Sequence, residues 1–194
     1  MIEPPTSNLN RDTAATATAE QVIASLALVA IYGVLWRFET IGKAAAAVGF
    51  VVTLAVLSIV DVRSRQLPNV ITAPLFVAGI GVNFFHAFTG IVGALEGAAV
   101  GYGLLWGANQ LYRLRSNKHA IGVGDMKFAA AAGAWIGVAG IWQALMLAAM
   151  CVSVWGVLTV VVLRSREPAY VPFGPVIAGA SAMSLVFPLR AIVG

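Results

Sequence analysis

The chain has 194 residues, of which 60% are hydrophobic and 10% are charged, and its formal net charge is +4. An average soluble domain carries roughly 25% charged residues, so this composition excludes a soluble enzyme, a disordered chain and a disulfide scaffold. We expect an all-α, polytopic membrane protein. An excess of Lys and Arg over Asp and Glu is typical of the cytoplasmic loops of membrane proteins. We therefore expect the chain to lie in a lipid bilayer and to have no nucleic-acid partner.

A polar tail and seven apolar segments follow one another along the chain. Residues 1–19 are polar and small, which predicts a flexible N-terminal tail that lacks the basic start of a cleavable signal peptide. A membrane-crossing helix needs about 20 apolar residues. The predicted spans cover about 20–36, 44–61, 70–88, 91–112, 126–139, 141–163 and 172–192, and they form one transmembrane domain over 20–194.

The apolar stretch 126–163 is too long for one span. Its 38 residues would extend about 57 Å as one helix, nearly twice the ~30 Å hydrocarbon core. We therefore expect a turn near Gly137–Gly140. With seven spans and a cytoplasmic N-terminus, nine of the 12 Lys and Arg residues lie inside and three lie outside, in agreement with the positive-inside rule.

Glycines recur every four residues in several predicted spans. They are Gly93, Gly97 and Gly101, then Gly103 and Gly107, then Gly133 and Gly137. Small residues at this spacing let membrane helices approach closely. The spacing favours packing within one bundle, and homo-oligomerisation through these helices is the alternative.

Three of the eight acidic residues fall at or within predicted spans: Asp61, Glu96 and Asp125. Ionisable residues at membrane depth are costly, so each is a functional candidate. Asp61 ends the second span, shortly before Pro68, which stops a helix. Asp125 follows Gly122 and Gly124 and stands where an N-cap would open the fifth span. The predicted topology puts both aspartates at the cytoplasmic face.

Two carboxylates at one site are the equipment of an aspartic protease, in which one carboxylate takes a proton from water and the other holds a proton. Structural roles are open at this point: Asp125 as a helix cap, and Asp61 as the partner of Arg63 or Arg65. A divalent-metal site is a further alternative, although no His or third acid accompanies the pair.

These strings resemble the type IV prepilin peptidase family, which belongs to the GxGD class of intramembrane aspartyl proteases. Three motifs carry the resemblance. They are Asp61 followed by Arg63, Pro68 and Asn69; Gly122-x-Gly124-Asp125-x-Lys127; and Pro172-Phe173-Gly174-Pro175 opening the last span. The match in order and membrane context covers about residues 45–190.

The resemblance implies an enzyme that removes the short basic leader from prepilins or pilin-like secretion subunits, just before their apolar helix. Cleavage takes place at the cytoplasmic face of the prokaryotic inner membrane and needs no metal or cofactor. The resemblance makes Asp61 and Asp125 the catalytic pair. The supporting motif positions are Arg63, Pro68, Asn69, Gly122, Gly124, Lys127, Pro172, Phe173, Gly174 and Pro175.

Larger family members carry a cytoplasmic domain, usually with paired cysteines, between their first two spans, and they also N-methylate the mature pilin. Here about seven residues join these spans, and Cys151 is the one cysteine. The chain therefore resembles the short, peptidase-only members, and the resemblance does not extend to methyltransferase activity.

Two other functions stay open. One is another GxGD membrane protease, such as an archaeal preflagellin peptidase. The other is a small transporter or channel that uses Asp61, Glu96 and Asp125 as relay residues. Transport requires the three acids to line one aqueous path, whereas the peptidase reading predicts that Glu96 is dispensable for cleavage.

Overall fold

The computed structural model describes residues 6–38, 40–64, 67–116, 121–159 and 173–188. In chain order the helices are α1 (Thr6–Arg37), α2 (Ile41–Ser64), α3 (Asn69–Phe84), α4 (Gly90–Ser116), α5 (Val123–Val157) and α6 (Phe173–Val186). No strand occurs within these ranges. The predicted all-α class is confirmed.

Four of the helices are long and apolar enough to cross a membrane: Ala15–Arg37 of α1, α2, α4 and α5. The chain is therefore a multi-pass membrane protein. Helices α3 and α6 have 16 and 14 residues, fewer than the about 20 residues that a perpendicular span needs. The predicted last span, 172–192, reaches beyond the described residues at both of its ends.

Helix α1 begins well before the predicted first span. The predicted tail covers residues 1–19, yet the chain is helical from Thr6 onward. The segment before the span is rich in alanine, the strongest helix former, so it continues the helix without being apolar. The continuous apolar run that identifies a membrane span does not detect such a polar extension. Residues 1–5 lie outside the described part of the chain.

Helix α5 reverses its direction at Gly137, whose backbone is non-helical with φ 70° and ψ −175°. A β-carbon built on Gly101 of α4 would lie 2.8 Å from the carbonyl carbon of Ala129 and 3.1 Å from Cγ1 of Ile141. Those two residues would be about 18 Å apart along a straight helix. Both can approach Gly101 only because the chain folds back between them. The break falls at the first residue of the predicted turn.

Asn83 holds this reversal together. Its side chain is fully buried, and its Nδ2 donates to the carbonyls of Ala134 at 2.8 Å and Trp135 at 3.1 Å. Its Oδ1 accepts the backbone N–H groups of Phe88 at 3.1 Å and Thr89 at 3.0 Å. The last carbonyls of a helix lack partners within the helix. Asn83 supplies partners for two of them and ties the α3–α4 turn to the end of the first half of α5.

The glycine spacing serves contacts between helices of the same chain. A β-carbon on Gly97 of α4 would collide with the backbone of Gly133 and Gly137 in α5. By contrast, β-carbons on Gly103 and Gly107 would meet nothing within 4 Å. Gly97 thus lets α4 pack closely against α5, whereas Gly103 and Gly107 face open space.

Candidate active site

Asp61 lies in the last turn of α2 with only 6% of its surface exposed. Its carboxylate accepts a hydrogen bond from the backbone N–H of Gly174, in the first turn of α6. The first N–H groups of a helix have no partner within the helix, and they favour negative charge. A β-carbon on Gly174 would lie 2.6 Å from Asp61 Oδ2. Glycine is therefore required here for the carboxylate to reach the α6 backbone.

Asp125 is the third residue of α5, and Gly122 is the N-cap with an extended backbone. The prediction of Asp125 as the N-cap residue is therefore wrong. The Asp125 carboxylate reaches back and accepts the backbone N–H of Gly122. This is the reciprocal half of a capping box, in which the N3 side chain bonds the N-cap N–H. Gly122 has no side chain for the N–H groups of the first turn, so the bond from its own N–H to Asp125 is the half of the capping box that is present.

The two aspartates meet at one end of the bundle, although 64 positions separate them in the sequence. Their carboxylates interact electrostatically, and the energy of such an interaction falls as the inverse of the distance. Asp61 comes from the C-terminal end of α2 and Asp125 from the N-terminal end of α5.

The segment that joins α2 to α3 packs on the start of α5. A β-carbon on Gly124 would lie 3.2 Å from Cβ of Leu67, so the absence of a side chain at Gly124 gives Leu67 its place. Pro68 is the N-cap of α3, and its carbonyl accepts the hydroxyl of Thr72 at 3.1 Å. These contacts bring the Asp61 and Asp125 motifs together.

A hydrogen bond between side chains joins the first two motifs, with Asn69 in one motif and Lys127 in the other. Lys127 Nζ donates to Asn69 Oδ1 at 3.1 Å. Both side chains are exposed at the rim of the site. The pair links the start of α3 to α5 two residues beyond Asp125.

Arg63 binds Glu20 of α1 in a two-pronged ion pair. Arg63 Nη2 donates to Glu20 Oε2 at 2.8 Å, and Arg63 Nε donates to Glu20 Oε1. The alternative of Arg63 as the partner of Asp61 is not what the structure shows, and Arg65 lies outside the described residues. Sequence reasoning missed Glu20. Glu20 stands at the start of the first predicted span, and the predicted topology puts this end of the span on the same side of the membrane as Arg63. That shared side is the signal that could have identified Glu20 as a partner of Arg63.

The third motif is described from Phe173 onward, and Pro172 lies outside the described residues. Phe173 packs against the buried core. Pro175 lines an apolar groove between α1, α2 and α6. Among the described residues of this motif, Gly174 lies against the carboxylate of Asp61.

Glu96 lies far from the two aspartates. It is exposed on α4 and lines a cavity of about 680 Å³ with Arg37 and Lys43, at the end of the bundle formed by the α1–α2 and α3–α4 turns. Asp61 and Asp125 lie at the opposite end. The three acids do not line one path, which removes the geometric basis of the relay alternative.

Comparison with known proteins places these motifs in a family context. The type IV leader peptidase family matches over residues 47–161. A prepilin leader peptidase/N-methyltransferase of Burkholderia pseudomallei (strain 1026b) is 36% identical over 165 residues, which is 85% of this chain and 53% of that protein. Proteins with the same description from Stutzerimonas stutzeri and Pseudomonas aeruginosa are 36% and 35% identical over 158 residues, covering 79% of this chain and 53% of each relative.

The chain spans about half the length of the curated relatives that it matches. No solved structure is similar to it.

Proposed function

Because this chain belongs to the type IV leader peptidase family, we propose that it is an aspartic endopeptidase. Its substrates are type IV prepilins or pilin-like secretion subunits, from which it removes the short basic leader at the cytoplasmic face of the membrane. The observation that carries this proposal is that the segments bearing Asp61 and Asp125 meet, with Leu67 packed against Gly124 and Lys127 hydrogen-bonded to Asn69. The proposal covers the peptidase reaction alone.

In the proposed mechanism one carboxylate is ionised and the other is protonated. The ionised group takes a proton from a water molecule, whose oxygen attacks the scissile carbonyl carbon. The protonated group donates its proton to the carbonyl oxygen, which gives a tetrahedral intermediate. The C–N bond then breaks: the leaving nitrogen takes the proton gained from water, and one hydroxyl of the intermediate gives its proton to the carboxylate that had donated one. The new carboxyl group is formed in this way, and the pair returns to its starting state. Because the two groups act as a coupled pair, the roles are assigned to the pair.

The backbone donors of the site support this chemistry. Gly174 N–H holds Asp61 and Gly122 N–H holds Asp125. One donor on each carboxylate orients the group and leaves its remaining lone pairs for water and substrate. A catalytic group that the backbone already holds in place does not have to be ordered during the reaction, and this lowers the reaction barrier.

The proposed topology has seven membrane-crossing segments in the inner membrane and a cytoplasmic N-terminus. The reversal of α5 at Gly137 supports the count, because it divides α5 into two antiparallel halves. Helices α1, α2 and α4 supply three further segments. The shorter α3 and α6 supply the other two, together with apolar residues that follow them in the sequence. The excess of Lys and Arg on the inner side supports the orientation. A homo-oligomer would use the α4 face that carries Gly103 and Gly107, since those glycines face open space.

The test is a cleavage assay in membranes that contain a tagged prepilin from the same genome. Asp61→Asn and Asp125→Asn keep the shape of the side chain and remove its titratable proton. Since loss of a positioned acid or base costs about 10²- to 10⁴-fold in rate, we expect each variant to leave the prepilin at full length.

Glu96→Gln, at equal abundance, is the control and is expected to cleave like the wild-type enzyme. Cleavage by both Asn variants would overturn the catalytic assignment. A prepilin left intact by the wild-type enzyme would overturn the proposed substrate.

A further inference from the structure

An apolar groove of about 820 Å³ runs along the outside of the bundle between α1, α2 and α6. At one end it is lined by Ser58, one helical turn before Asp61, and by Pro175, which follows Gly174. At the other end it is lined by Trp36 and Phe187. The groove therefore starts beside the proposed catalytic pair and leads away from it through the depth of the membrane.

The length of the groove suits a helix lying along it. From Pro175 to Phe187 the α6 wall rises about 18 Å, which is about three turns of a helix packed beside it. The groove volume is about 820 Å³.

The groove walls suit the close approach of an apolar helix. Small residues line both sides: Ala27 and Ala30 on α1, and Ala178, Gly179 and Ala182 on α6. Small side chains let two helix backbones come near each other in a membrane. The hydroxyl of Ser58 donates to Leu54 O at 2.8 Å, so it needs no acceptor from a helix bound in the groove.

We propose that this groove binds the apolar helix of the substrate, so that the peptide bond before the helix lies at Asp61 and Asp125. The inference rests on the proposed function and adds the surface on which the substrate docks. The N-terminal end of the bound helix lies at the Ser58–Pro175 end, and the leader continues toward the cytoplasm. Docking of the helix makes attack on the scissile bond an intramolecular event, which raises its rate.

Gly179→Leu tests the groove. A β-carbon on Gly179 meets nothing within 4 Å, and leucine is a better helix former than glycine, so the variant fills the groove without disturbing the bundle. We expect the KM for the tagged prepilin in detergent to rise about tenfold while kcat stays close to the wild-type value, as for loss of a binding contact that is not specific to the transition state.

Gly49→Leu is the matched control, because Gly49 lies on α2 outside the groove and also has open space beside it. We expect it to behave as the wild-type enzyme. Equal kinetics for Gly179→Leu, Gly49→Leu and the wild-type enzyme would overturn the proposal and leave the groove to lipid.

Cross-linking tests the same contact without depending on cleavage. In a Cys151→Ala background and with an added thiol oxidant, Gly179→Cys is expected to form a disulfide with a cysteine in the first turns of the prepilin helix, and Gly49→Cys is not. An absence of adduct at Gly179→Cys overturns the proposal. An adduct together with an uncleaved prepilin would instead overturn the proposed peptidase function and leave the docking surface in place.

Discussion

At the scale of single residues, glycines determine where the two aspartates sit. Gly174 donates its N–H to Asp61 and leaves room for the carboxylate, while Gly122 does the same for Asp125 at the start of α5. Gly124 gives space to Leu67. At Gly174 and Gly122 the absence of a side chain lets the backbone approach a carboxylate. At Gly124 it lets Leu67 approach α5.

Gly174→Ala is expected to reduce cleavage by about 10²-fold, the cost of displacing a reacting group by roughly 1 Å. The added methyl group would lie 2.6 Å from Asp61 Oδ2, so the carboxylate must move away from its donor. The measurement is kcat on the tagged prepilin at equal enzyme abundance. Gly49→Ala, where the methyl group meets open space, is the control; an active Gly174→Ala enzyme would show that the contact is dispensable.

At the scale of helices, α5 is the element on which the others assemble. Its reversal at Gly137 lets both of its halves contact α4, and Asn83 joins the α3–α4 turn to the end of the first half. Trp135 extends the same contact region: its ring stacks on Phe50 of α2 with centroids 4.9 Å apart, and its Nε1 donates to Leu75 O of α3 at 2.8 Å. A defect at this turn would therefore reach four helices.

Gly137→Ala is expected to destabilise the protein by about 1–3 kcal/mol, the cost of holding a non-glycine residue at an unfavourable backbone conformation. The added methyl group would also lie 2.5 Å from Thr89 Oγ1. We expect a lower Tm in detergent micelles. Gly156→Ala lies on the same helix with open space around it and should keep the wild-type Tm. Equal Tm values for the two variants would contradict the requirement for a positive φ at Gly137.

At the scale of the whole molecule, the fold has large apolar side chains on its outside. Trp36 is 85% exposed, and Ile41 and Leu114 are similarly exposed. In water such a surface would aggregate, but in a bilayer it faces hydrocarbon. Buried polar side chains such as Asn83 and Ser58 are held by hydrogen bonds within the bundle, because lipid offers no partners. Among the described residues, the buried hydroxyls of Ser181 and Ser184 have no such partner.

The proposed topology predicts which residues a membrane-impermeant thiol reagent can reach in intact cells. In a Cys151→Ala background, Phe85→Cys in the α3–α4 turn is expected to be labelled from outside. Arg115→Cys at the end of α4 is expected to be labelled only after the membrane is permeabilised. The reverse result would show an inverted orientation, and labelling of both positions from outside would contradict a crossing by α4.

The sequence was sufficient for those parts of the fold that depend on composition or local pattern. It predicts the helical class, and the positions of Asp61 and Asp125 at helix ends agree with the structure. It does not predict contacts between distant residues, such as Glu20 with Arg63 or Asn83 with Ala134, because no local pattern links their positions. The prediction of the α5 N-cap is wrong because an aspartate can accept backbone N–H groups at the start of a helix from the N-cap position or from the N3 position.

The hydrogen bond between Gly174 and Asp61 also has a consequence for synthesis. Asp61 leaves the ribosome early, whereas its donor belongs to the last described helix. A nascent chain that has inserted only α1 to α5 already holds both aspartates, but it lacks the backbone group that orients one of them. The proposed active arrangement is therefore completed only after α6 has packed against the end of α2.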